Sequence, residues 1–124
     1  MVWKMTSVLW FIVECWLSHQ PGEQSGANSR WLAVQSKTDE KIIRKAAHVL
    51  CFAVLSVLSC LGFGPLALIF CAAWSVLDEL TKRKIRGRHC SGKDMALNLL
   101  GTAVGGVFLV MMSFVKKENL LCRK

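Results

Sequence analysis

Apolar residues fall into four long runs, set apart by stretches that hold almost every charge. The runs cover residues 2–18, 40–61, 65–80 and 94–115. A helix rises 1.5 Å per residue, so roughly 20 apolar residues match a hydrocarbon layer about 30 Å thick. Only these four stretches can satisfy their own backbone in lipid. The pattern predicts an all-α polytopic membrane protein, a four-transmembrane-helix bundle forming one domain over residues 1–124.

The boundaries carry their own signals. Trp3, Trp10 and Trp16 suit interfacial ends of the first run, which contains Glu14 and lacks a small-x-small cleavage site; it reads as a retained helix. Residues 19–35 are rich in Gly, Ser, Asn and Gln, include Pro21, and read as an extramembrane loop whose Trp31-Leu32-Ala33-Val34 dips into the headgroups. Ser36 or Thr38 is expected to cap the second helix, with Asp39 and Glu40 in its first turn, where the helix dipole favours anions. Gly62-Phe63-Gly64-Pro65 reads as a tight turn, since a proline opens a helix at no cost in hydrogen bonds. Residues 81–93 form a short, densely basic loop, and a polar tail closes the chain.

Composition supports this layout. Hydrophobic residues make up 53% of the chain and the mean hydropathy is +0.40, too apolar for a water-soluble domain of 124 residues. The net charge of +8 raises nucleic acid as a partner, but the basic residues do not line a soluble face interleaved with exposed aromatics. Anionic membrane lipids are the expected counterpart, and no nucleic acid is expected. Cys15, Cys51, Cys60 and Cys71 lie inside apolar runs, and only Cys90 and Cys122 fall in polar segments. There is no disulfide framework or CxxC spacing, so neither a metal nor a cofactor is expected.

Successive helices cross in opposite directions, which gathers the unusual polar groups at one membrane face. Gln20, Gln24, Ser25, Arg44, Lys45, His48, Asp78, Glu79, Arg88, Ser91, Asp94 and Asn98 all fall there. Arg44 and His48 are four apart, as are Asp94 and Asn98, so each pair shares one helical face. Gly101-x-x-x-Gly105 continues the Asn98 stripe with the small-residue spacing that lets membrane helices approach closely. Asp78-Glu79 beside Lys82 and Lys84 also fits an ordinary charged helix terminus. A histidine one or two turns inside is harder to place without a partner, because ionisable groups at depth are costly.

The motifs Ser18-His19-Gln20-Pro21-Gly22-Glu23-Gln24-Ser25, Arg44-Lys45-x-x-His48, Asp78-Glu79, Gly87-Arg88-x-x-Ser91-x-x-Asp94 and Asn98-x-x-Gly101-x-x-x-Gly105 occur in that order. In this the chain resembles the VanZ-like membrane proteins, over roughly residues 15–110. The family pattern usually has Gln three residues after the acid pair, where this chain has Lys82. It often has an acidic or small residue then Tyr after the histidine, where this chain has Cys51-Phe52. The resemblance implies a role in the bacterial cell envelope, related to accessory proteins of glycopeptide (teicoplanin) resistance.

Three functions compete. In the first, Arg44, Lys45 and Arg88 hold the phosphate or carboxylate of a lipid-linked envelope component, while His48, Glu79 and Asp94 are candidate catalytic groups for proton transfer or orientation. Gln20, Gln24, Ser25, Asp78, Ser91 and Asn98 complete the candidate binding set, and Gly101 and Gly105 serve helix packing. No nucleophile motif decides between chemistry and simple binding. The second is a small-multidrug-resistance-like transporter exchanging protons for cations at Glu14; the long polar segment after the first helix argues against it. The third is a scaffold that binds a larger envelope protein through the Trp-rich first helix. The polar face carries eleven Lys and Arg (Arg30, Lys37, Lys41, Arg44, Lys45, Lys82, Arg83, Lys84, Arg86, Arg88, Lys93) against five opposite (Lys4, Lys116, Lys117, Arg123, Lys124), which assigns it to the cytoplasmic side.

Overall fold

The structure, a computed structural model, describes residues 1–121; Cys122, Arg123 and Lys124 of the expected tail lie outside the described residues. It is all-α, with five helices and no strand among the described residues: α1 (Val2–Ser18), α2 (Gly22–Ser36), α3 (Glu40–Phe63), α4 (Ala67–Thr81) and α5 (Gly92–Leu121), plus a 3-10 turn at Lys82–Lys84. α3 is the hub, packing against α1, α4 and α5 and touching α2. α3 and the Gly92–Lys116 part of α5 are long and apolar enough to cross a membrane. α1 and α4, at 17 and 15 residues, are shorter.

Four helices begin or end within a few residues of the sequence expectation, and the corrections are local. Asp39, rather than Ser36 or Thr38, caps α3: its Oδ1 accepts the Lys41 N–H at 2.9 Å. α3 continues to Phe63, α4 starts at Ala67, and α5 begins at Gly92 and continues to Leu121. The larger correction is residues 19–35, which are a helix and not a loop. α2 starts after Pro21, carries Glu23 in its first turn, and ends at Lys37 in the left-handed region, φ 53°. Its glycines and serines are poor helix formers, so tertiary contacts hold it. The Gly22 N–H donates to the Arg86 carbonyl at 3.3 Å, and a Cβ on Gly22 would collide with the Gly87 carbonyl. Gly87 itself has φ 75°, where only glycine is at ease.

The interior is polar and the outside apolar. Fully buried apolar residues are Phe52, Leu55 and Cys71, whereas Ser7, Glu14, Gln20, Ser56, Ser59, Ser75, Asp78, Glu79, Lys82, Asn98 and Thr102 are all buried. Large apolar side chains such as Leu9, Ile12, Leu50, Phe70, Leu77 and Phe108 are exposed. Water-soluble proteins show the opposite preference, so this distribution fits a membrane protein. The buried hydroxyls pair across helices: Ser7 and Ser59 are hydrogen-bonded at 2.9 Å, and Ser75 and Thr102 at 3.1 Å.

α3 and α5 meet through the glycine stripe. A Cβ on Gly101 would run into the Val49 carbonyl and stand 3.0 Å from Phe52 Cβ. One on Gly105 would run into the Ser56 hydroxyl and lie 2.5 Å from the Ala53 carbonyl oxygen. Both positions therefore pack on backbone, which cannot yield as a side chain does. Gly105→Leu is expected to lower stability by about 1–3 kcal/mol, the usual cost of overpacking. Thermal unfolding in detergent checks this, and an unchanged midpoint would contradict the packing.

Candidate functional site

The site forms where the C-terminal ends of α1 and α4 meet the N-terminal halves of α3 and α5. Its centre is Lys82, one turn past the acid pair and 2% exposed. Its Nζ lies 2.8 Å from Asp78 Oδ2 and 2.5 Å from Glu79 Oε1, and both acids are fully buried. The spacing explains the contact, since residues three and four apart share a helical face. Burying any of these charges alone would cost several kcal/mol, and mutual pairing offsets that cost.

Other elements complete the shell of each acid. Ser18, the last residue of α1, donates its hydroxyl to Asp78 Oδ1 at 2.6 Å. Asn98 of α5 donates its amide to Asp78 Oδ2 at 3.5 Å and to the Ser75 carbonyl at 3.4 Å. The Asn98 carbonyl faces His48 Nδ1 at 2.8 Å. The Ser91 N–H donates to Glu79 Oε2 at 3.4 Å, and the Ser91 hydroxyl accepts the Asp94 N–H at 3.4 Å, as an N-cap does. Ligand atoms of His48, Glu79 and Asp94 lie within 4.8 Å of one another, close enough to hold one metal ion.

Arg88 ties the basic loop to α1. Its Nε donates to the Gln20 carbonyl at 3.1 Å and its Nη2 to the Ser18 carbonyl at 3.0 Å. These are carbonyls at a helix C-terminus, where a cation is favoured. Burial, followed by the neighbouring Arg44 charge, lowers the Arg88 guanidinium from its usual range, while Glu79, Asp78 and Asp94 act in the opposite direction. It stays charged at neutral pH.

Beside the cluster is a cleft of about 260 Å³ between α1, α2 and α3. Its lining includes Arg44, His48, Lys82 and Arg88 together with the apolar Leu32 and Phe52. Residues 4–114 match the profile of the VanZ/LLP1 family. The chain belongs to that family. No curated protein and no solved structure shows significant similarity to it.

In this VanZ/LLP1 chain the structure brings together most of the residues singled out in the sequence. His48, Asp78, Glu79, Ser91, Asp94 and Asn98 form one connected network, and Arg88 and Gln20 adjoin it. Ser25 and Arg44 line the cleft. Gln24 and Lys45 are exposed and do not line it. Gly101 and Gly105 pack on α3, one or two turns below Asn98. Three participants lay outside the candidate site set. Lys82 replaces the usual family Gln, yet it is the hub, and its i+3 and i+4 spacing to the acids is visible in the sequence. Ser18 marks only a helix end. Glu14 is 4% exposed and accepts the Trp74 indole N–H at 2.8 Å, a partner 60 residues away that no local spacing announces.

Lys82→Met is expected to destabilise the fold by about 3–5 kcal/mol, because Asp78 and Glu79 would be left buried without a counter-ion. Asp78→Asn in the same background should restore part of the loss. Thermal unfolding of the single and double variants checks both signs.

Proposed function

We propose that this VanZ/LLP1 protein is a four-span membrane protein of the bacterial cell envelope whose cleft binds an anionic, lipid-linked component. The observation that carries the reading is the cleft itself, which is lined both by the cations Arg44, Lys82 and Arg88 and by the apolar Leu17, Leu32 and Phe52. A phosphate or carboxylate suits the first and an acyl or prenyl chain the second. Lys82 is already matched by Asp78 and Glu79 and Arg88 by two carbonyls, so Arg44, exposed and without a hydrogen-bonded partner among the described residues, is the cation free for a ligand. His48, Glu79 and Asp94 stand beside the cleft, where they orient the bound group.

The four-span topology rests on the exposed apolar faces of α1 and α4 as well as on α3 and α5. Leu9 and Ile12 of α1 are 62% and 57% exposed, and Ile69 and Phe70 of α4 are 69% and 53% exposed. Such faces are stable against lipid. Their 17 and 15 residues cover about 25 and 22 Å, and snorkelling flanks or local thinning accommodate the remainder. The Lys and Arg bias favours a cytoplasmic polar end. The partly exposed Cys90 should then react with a membrane-impermeant thiol reagent only after cells are permeabilised; labelling in intact cells would reverse the orientation.

For the ligand, the expected outcome is that Arg44→Ala weakens binding of phosphatidylglycerol to the protein in neutral detergent about tenfold, the loss of one charge-assisted hydrogen bond. Phosphatidylcholine should bind weakly to both proteins. Native mass spectrometry reads the bound lipid, and equal retention of phosphatidylglycerol by both would refute the cleft as an anion site.

A further inference from the structure

Three helices bring one imidazole and two carboxylates to one point. Ligand atoms of His48, Glu79 and Asp94 lie within 4.8 Å of one another, and His48 Nε2 is 4.0 Å from Asp94 Oδ2. We propose that these three side chains form a binding site for one divalent first-row transition-metal ion.

The state of His48 is the first support. Asn98 Nδ2 faces two acceptors, the Ser75 carbonyl and Asp78 Oδ2, so the amide is oriented and its Oδ1 must face His48. An amide oxygen only accepts, so His48 Nδ1 carries the proton. In the neutral ring Nε2 is then a lone pair, directed toward carboxylates that are also lone pairs. Three such groups are the donor set of a cation site. A histidine that donates one ring N–H to a fixed acceptor and offers the other nitrogen is the usual arrangement at a metal.

Charge is the second support. Asp78, Glu79 and Asp94 carry three negative charges, and among the described residues Lys82 is the only lysine or arginine within 4.0 Å of them. The remainder of two matches one divalent ion. Arg88 donates instead to the Ser18 and Gln20 carbonyls. The Asp94 carboxylate accepts no hydrogen bond among the described residues, and Glu79 Oε2 receives only the 3.4 Å Ser91 N–H.

The geometry needs little adjustment. Ligands about 2.1 Å from a shared ion stand roughly 3.0–3.5 Å from one another, so the groups must close by about 1 Å. Asp94, whose side chain is 28% exposed at the start of α5, has room to move toward the other two. One nitrogen and two oxygens suit Mn²⁺, Fe²⁺ or Zn²⁺ better than Ca²⁺ or Mg²⁺, which take all-oxygen shells. Three protein ligands leave positions open, and His48 also lines the cleft, so an anion held by Arg44 can complete the shell.

The test is Mn²⁺ binding by the full chain in neutral detergent after chelator treatment, with free Mn²⁺ read by electron paramagnetic resonance and no lipid added. One Mn²⁺ per chain is expected, with affinity lowered at least about tenfold in Asp94→Asn and in His48→Gln. Lys45→Ala, an exposed change outside the cluster, should bind as the unaltered protein does. The unfolding midpoint without metal confirms that Asp94→Asn is folded. Absence of saturable binding by the folded protein up to millimolar Mn²⁺ would overturn the proposal, as would undiminished binding by Asp94→Asn. Because lipid is absent, either result leaves the anion reading of the cleft standing on its own test.

Discussion

An ammonium buried against two buried carboxylates governs this molecule. Lys82, Asp78 and Glu79 are 2%, 0% and 0% exposed, so each depends on the others for its charge. Both acids sit in the last turn of α4, and helix geometry alone brings Lys82 back over them. That local triad then recruits the rest. Asp78 still has lone pairs to satisfy and takes Ser18 from α1 and Asn98 from α5; Glu79 takes the backbone before α5. The end of α1, the start of α5 and the end of α4 are therefore fixed relative to one another by hydrogen bonds to these carboxylate oxygens more than by an apolar core.

The membrane-facing part obeys a complementary constraint. Without a hydrophobic force between helices in lipid, close packing and interhelical hydrogen bonds must hold them. Gly101 and Gly105 let α5 approach α3 until backbone touches backbone, and that approach carries Asn98, one turn above Gly101, to His48. Packing at the glycines and polar pairing at the site are thus two consequences of one helix–helix contact. Loosening α5 from α3 would separate both Asn98 and Asp94 from His48.

The apolar runs made the helices legible, because a run of this length has few alternatives once its backbone must satisfy itself. The glycine stripe was legible for the same reason: a spacing of four on a helix is a local fact. The convergence of His48, Glu79, Asp94 and Asn98 followed from antiparallel crossing, which places certain helix ends on one side. What escaped was whatever depends on partners distant in sequence. Residues 19–35 read as a loop because their glycines and serines have low helix propensity, and α2 is held by the Gly22–Arg86 contact, 64 residues apart. Glu14 has no partner that its own helix announces, because its Trp74 partner is on another helix. Gln24 and Lys45 were grouped with the site by their motifs, but motif neighbours on a helix point in different directions, and both face outward.

α2 shows how the outer parts serve the centre. A Cβ on Gly22 would collide with the Gly87 carbonyl, and Gly87 holds φ 75°, so close backbone contact pins the start of α2 to the basic loop. The same loop carries Arg88 to the end of α1, so α1, α2 and the loop form one unit around Gln20, whose carbonyl takes Arg88 and whose side chain takes Asn28 of α2. This unit is one wall of the cleft, and α3 with Arg44 and His48 is the other. The first wall is fixed by backbone contacts and the second by Asn98, so the cleft between them has its shape before any ligand arrives. Preorganisation of that kind reduces the entropy a ligand's binding must offset. Arg44 is the one Lys or Arg of the cleft that is both exposed and without a hydrogen-bonded partner among the described residues, so forming a contact there breaks none already made.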